Sequence, residues 1–224
     1  MISVDIRRMA FGETEILHDI RFTMAPEERL AILGPSGIGK TTLLRIIAGL
    51  IDDFDGEIIG AGSMAVVFQE PTLLPWRSAL ENLTITTGIS PDEARDGLAE
   101  VGLADKARHF PGQLSLGQQR RLALVRAFAA KPRLLLLDEP FASLDEATAA
   151  SMIALTSRML AGRRITCLLV THAAEEAVAL TNRALLMAGR PAMIVGEYRI
   201  EELPGKLDAD HAQRLRKALA KVAG

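Results

Sequence analysis

Cysteine is almost missing from this chain: Cys167 stands alone among 224 residues, so no disulfide can form within it. It sits in the apolar run 165–170, where a thiol is expected to serve as a small buried hydrophobe in a reducing compartment. An excess of basic charge is missing too, since 26 Lys and Arg face 28 Asp and Glu. That balance speaks against a generic polyanion binder, and no nucleic-acid partner is expected. The one dense basic stretch, around 214–221, is expected to lie on an amphipathic surface helix spanning 209–220. Long apolar runs are also lacking. Residues 134–137 are typical, and charges interrupt each run well short of the roughly 20 residues that a spanning helix needs. The N-terminus shows no charged region followed by an apolar stretch and a cleavage site, so no signal peptide is expected. Any membrane association is therefore expected to run through a partner.

What is present is a large apolar fraction, 49%, sufficient for a substantial core in one domain, 1–224. Short β-like runs alternate with helical stretches, the pattern of an α/β protein. Residues 30–33, 64–68, 134–137 and 165–170 read as buried strands of a mostly parallel sheet. Residues 40–49 read as a helix closed by glycine. From 71 to 128 the pattern turns helical, with a clear start at Ser90-Pro91-Asp92-Glu93: a cap, a first-turn proline and the acid of a capping box. This predicts a helical subdomain (71–128) inserted into a nucleotide-binding core (1–70 and 129–200), followed by a helical tail (201–224).

Gly34-Pro35-Ser36-Gly37-Ile38-Gly39-Lys40-Thr41 matches the whole P-loop pattern and is followed by Thr42. Glycines let the backbone turn tightly and bring several N–H groups onto phosphate oxygens, while the next helix aims its positive end at them. Lys40 supplies a mobile charge for the β- and γ-phosphates, and Thr41 offers a hydroxyl to Mg²⁺. A nucleotide's phosphates and Mg²⁺ are thus the expected ligands. A P-loop alone leaves the class open.

Two further strand ends narrow it. The run 134–137 ends in Asp138 and Glu139; the first is placed to hold Mg²⁺ through its water shell, the second to polarise a water aimed at the γ-phosphate. His172 follows the strand 165–170 through Thr171. It is expected at the same sheet edge, where ligands gather in open α/β sheets and an imidazole could bridge the γ-phosphate and the water.

With these motifs in this order, the chain resembles the ATP-binding subunits of ABC transporters over about residues 4–198. Gln69 matches the Q-loop glutamine, which the resemblance implies reaches Mg²⁺ and couples to the permease. Leu114-Ser115-Leu116-Gly117-Gln118 resembles the LSGGQ signature, and Ser143-Leu144-Asp145 resembles the D-loop. His172 matches the switch histidine, and Phe11 the aromatic that stacks on adenine. The resemblance implies a P-loop NTPase core with an N-terminal antiparallel β part. It also implies ATP as the nucleotide, and a head-to-tail homodimer in which the signature loop and its helix, with Ser115, Gly117 and Gln118, face the ATP of the other copy. It counts Asp145 of the D-loop among the nucleotide-binding residues. One departure stands out: Leu116 replaces the first glycine of the usual pair, removing backbone freedom and adding bulk at a tight seam, so an altered ATPase rate is expected.

After Gln69 comes Glu70-Pro71-Thr72-Leu73-Leu74-Pro75-Trp76-Arg77, an apolar, proline-bounded loop suited to docking or to joining subdomain and core. In the family this region receives a coupling helix of the permease. Leu73-Leu74-Pro75-Trp76 is similar to the ATPases that serve uptake of nitrate, sulfonates and taurine. The resemblance therefore implies integral-membrane permease partners, an indirect solute-binding protein, and a place at the cytoplasmic face of the inner membrane. Three alternatives stay open: another small-molecule importer such as a thiamine-precursor system, a soluble ABC ATPase of DNA repair or translation, and a nucleotide-regulated binding module without catalysis.

Overall fold

Three strands without a charge in their interiors form the centre of the molecule: β3 (Arg29–Leu33), β6 (Leu134–Asp138) and β7 (Thr166–Thr171). In this computed structural model residues 1–200 and 209–223 are described. Every residue of β6 and β7 is buried, which requires covering layers on both faces of the sheet. Strand β5 (Met64–Val67), β8 (Arg183–Ala188) and the antiparallel β9 (Met193–Arg199) complete a six-stranded sheet in the order β5-β6-β7-β3-β8-β9. The first five strands run parallel. A separate antiparallel sheet joins β2 (Thr14–Met24), β1 (Ile2–Phe11) and β4 (Asp55–Ile59).

The two-residue period of a strand divides the all-leucine run between two cores. Leu134 and Leu136 face a cluster with Leu30, Ile32 and Val170, roofed by the antiparallel sheet and by α1 (Lys40–Ile47). Leu135 and Leu137 face the other way, with Cys167 and Leu169, against the helices α2 (Ala79–Thr87), α3 (Pro91–Glu100), α4 (Leu116–Ala129) and α5 (Glu146–Leu160). Each such leucine contributes about 1.5–3 kcal/mol by its burial. A third cluster packs Ala31, Leu33 and Leu186 against α6 (Ala174–Leu180) and α7 (Ala209–Ala223).

Helix ends follow the sequence closely. Gly49 takes φ 68, and the Gly49 and Leu50 amides donate to Ile46 and Arg45 carbonyls at 2.9 and 2.8 Å, the two-bond C-terminal lock that a left-handed residue allows. The helix itself therefore stops at Ile47, two residues before the glycine. Helices α2, α3 and α4 each start with a capping box, from Ser78, Ser90 and Ser115 to Glu81, Glu93 and Gln118.

Strand limits shift by one residue where pairing decides. β5 stops at Val67, and β6 gains Asp138 because that residue pairs with Val170. β7 begins at Thr166 and runs on to Thr171, which pairs with Leu33. Of the expected tail 201–224, residues 209–223 form α7; 201–208 and 224 lie outside the described residues. Among the described residues no helix is long and apolar enough to cross a membrane.

Candidate active site

Parallel pairing carries the ends of β3, β5, β6 and β7 to one edge of the sheet. Leu33 lies beside Thr171, Val67 beside Leu137, and Asp138 beside Val170. Gly34, Gln69, Asp138, Glu139 and His172 consequently leave the sheet together. This is the crevice at the carboxyl ends of strands where open α/β sheets bind ligands.

The loop 34–39 needs glycine for two different reasons. At Gly34 a Cβ would come within 2.7 Å of the Met187 carbonyl oxygen. At Gly39 the backbone takes φ 113, and a Cβ would press at 3.0 Å on the side chains of Ile16 and Leu17. Gly39 is also the N-cap of α1, so the amides that open this helix face the loop. Phe11, Ile16, Gly37, Gly39, Lys40, Thr41, Thr42 and Glu139 line a pocket of about 210 Å³. Phe11, at the end of β1, is 56% exposed there, an open aromatic face beside the phosphate loop.

Lys40 is buried, and its Nζ donates to the carbonyl oxygens of Gly34 and Pro35 at 3.0 and 2.9 Å. It also lies 3.1 Å from Glu139 Oε1. The other oxygen of Glu139, Oε2, is 3.1 Å from His172 Nδ1. Glu139 thus stands between an ammonium and an imidazole. Its backbone takes φ 42, a conformation costing a side-chain-bearing residue on the order of 1–3 kcal/mol. Its amide donates to the Val170 carbonyl at 2.9 Å, which ties this turn to β7.

Thr41 Oγ1 donates to Asp138 Oδ1 at 2.9 Å. Burial pushes the Asp138 carboxyl above its usual range, with the bond from Thr41 working the other way. No group of three or more His, Cys, Asp or Glu able to hold a metal ion occurs among the described residues. The donors at hand are hydroxyl, carboxylate and amide oxygens. That sparse, all-oxygen set suits Mg²⁺, which keeps waters and takes phosphate oxygens rather than a protein cage. Gln69 is exposed, two residues beyond β5. Burial drives the Cys167 thiol up to about 12, so it is inert.

The remaining sequence-predicted residues lie elsewhere. Ser115, Leu116, Gly117, Gln118 and Asp145 line a second cleft of about 560 Å³, separate from the phosphate loop. Ser115 and Asp145 are helix caps, accepting from the amides of Gln118 and Thr148 at 3.3 and 3.0 Å, which orients both helix starts into the cleft. Leu116 is 47% exposed at the first position of α4.

The loop 71–77 is held from below by fully buried Asn82, whose side chain bonds Leu74 N, Leu74 O and Arg77 O at 2.8, 3.1 and 3.0 Å. Leu73 packs against the core, while Trp76 is 68% exposed. Sequence reasoning missed Asn82, and also Glu176 and Thr171, two buried polar residues behind His172. A glutamate three residues into a helix was the one available signal for Glu176.

A sequence model of the family described as ABC transporter matches residues 17–142. The chain belongs to the ABC transporter family. Aliphatic sulfonates import ATP-binding protein SsuB 1 of Rhodococcus jostii strain RHA1 is 45% identical over 183 residues, covering 79% of this chain and 75% of the relative. The protein of the same name from Xanthomonas axonopodis pv. citri strain 306 is 39% identical, covering 97% of this chain and 92% of its own. Among solved structures, the dimeric post-hydrolysis state of the ATP-binding cassette MJ0796 bound to ADP and Pi superposes with a TM-score of 0.77 at 27% identity. It covers 91% of this chain and 100% of that one. This ABC ATPase therefore shares its fold with that ATP-binding cassette.

Proposed function

We propose that this ABC ATPase hydrolyses Mg-ATP between two head-to-tail copies and so powers uptake through a separate membrane permease. The observation that carries the catalytic part is the line Lys40–Glu139–His172 beside the Thr41–Asp138 pair. In this reading the amides of Gly34–Thr42 and the Lys40 ammonium hold the phosphates. Arrival of a phosphate gives Lys40 a new acceptor and frees Glu139 to take a proton from water, while His172 steadies the transferring group. Thr41, Asp138 and Gln69 would hold Mg²⁺, which neutralises phosphate charge when bound. Phe11 offers its ring to the adenine.

The second cleft supports the dimer. It gathers Ser115, Gly117, Gln118 and Asp145 on a surface of the same chain that does not reach its own phosphate loop. It would close over the loop of another copy. Residues 71–128 act as the helical subdomain that moves with closure, and the rigidly mounted Trp76 loop meets the permease at the inner face of the membrane. The names of the relatives, aliphatic sulfonates import proteins, favour small organic anions as the solute class, delivered by a solute-binding protein.

Lys40→Ala tests the catalytic part. Phosphate release from this variant is expected to fall at least ~100-fold, as for loss of a central donor to transition-state charge. Undiminished release would overturn the site assignment.

A further inference from the structure

Four helices that border the site or the helical region start with a glutamate or glutamine at their third position, and three use it alike. The amides of Ser78, Ser90 and Ser115 donate directly to Glu81, Glu93 and Gln118 at 2.8, 3.0 and 2.9 Å. Helix α6 departs from this. Its N-cap, Ala173, has no capping side chain. The Ala173 amide donates instead to Thr171 Oγ1 at 3.0 Å, and Thr171 Oγ1 donates to Glu176 Oε2 at 2.6 Å. The cap is relayed through a hydroxyl two residues back, and the relay spans His172.

Burial separates this acid from the others. Glu81 and Glu93 keep 40% and 52% of their side chains exposed, whereas Glu176 is 8% exposed. Removing a carboxylate from water for one hydroxyl bond costs more than an exposed cap would. Burial and the charge of Glu139 push its carboxyl up, while Thr171 and His172 pull it down. Capping alone does not account for that arrangement. What it does secure is the turn. Thr171 is 1% exposed and paired to β3 on one side of His172, and Ala173 is tied to Thr171 on the other. The His172 side chain is itself 50% exposed, so its aim at Glu139 depends on the backbone beneath it.

We propose that Glu176 is a positioning residue for His172, acting through the Thr171 hydroxyl to hold the turn that points the imidazole at Glu139. The inference rests on the role given to His172 above.

The test measures kcat and KM for ATP, nucleotide affinity and melting temperature on the full chain. Glu176→Ala and Thr171→Val are each expected to lower kcat about tenfold or more, as misplacement of a reacting group does, with affinity within about twofold. Glu176→Gln and Thr171→Ser keep an acceptor and a hydroxyl, and should stay within about threefold of wild type. Adding Glu176→Ala to His172→Ala should slow it no further.

A normal kcat in Glu176→Ala beside an impaired His172→Ala would overturn this inference alone. A double variant slower than His172→Ala, or affinity falling in step with kcat, would do the same by showing a role not routed through His172. A normal rate in His172→Ala would remove the role of His172 and this inference with it. If Glu176→Ala does not fold, the contrast of Thr171→Val with Thr171→Ser decides.

Discussion

Asp138 holds a buried position for which a charge is costly, although its proposed role beside Mg²⁺ calls for one. Its carboxyl is raised above the ordinary 3.8 by burial, so the folded chain binds that proton more tightly than the unfolded one. Stability therefore falls as pH rises through the raised value and stays lower at neutral pH. Asp138→Asn removes this penalty and keeps an acceptor for Thr41. Thermal melts are expected to show the variant a few degrees more stable than wild type at pH 7, with the gap closing below about pH 4, while phosphate release is lost. The motifs were read from single residue types at fixed spacing, and the fold brings Lys40 and His172 within hydrogen-bond reach of Glu139, and Thr41 within reach of Asp138. Glu176 and Thr171 escaped because buried acids and hydroxyls carry no periodic signal; only the fold shows what they touch.

Secondary structure was legible where local chemistry alone decides it. Ser90-Pro91-Asp92-Glu93 announced α3, and its capping box is present. The run 134–137 announced a strand, yet which leucine faces which core was not readable, because an all-apolar strand hides its period. The faces follow from the neighbours: Leu136 meets α1 and the antiparallel sheet, Leu137 meets the helical side. Leu136→Ala should cost about 2–5 kcal/mol in denaturant unfolding. Strand ends shifted by a residue because they depend on partners far away in sequence, as with Asp138 against Val170.

At the scale of the whole molecule, half of the proposed site belongs to another copy. One chain's sequence shows Ser115 and Gly117 but not what lies across from them, so the proposed trans arrangement rests on resemblance. Glu139→Gln keeps the side chain's shape and removes its capacity as a base. With ATP it is expected to elute as a dimer in size-exclusion chromatography and without ATP as a monomer. Elution as a monomer in both conditions would count against the head-to-tail closure. Leu116, half exposed at the start of α4, would lie at that seam.

The loop pinned by Asn82 has one more consequence. Trp76 is the chain's single tryptophan, and it is 68% exposed, so all indole emission comes from one ring standing in water. Fluorescence of the isolated chain should therefore be red-shifted and readily quenched by acrylamide. When permease in detergent covers the loop, the emission should move to the blue and resist the quencher, and Trp76→Phe should abolish the signal. The protein carries its own optical probe of docking, at the surface where docking is proposed.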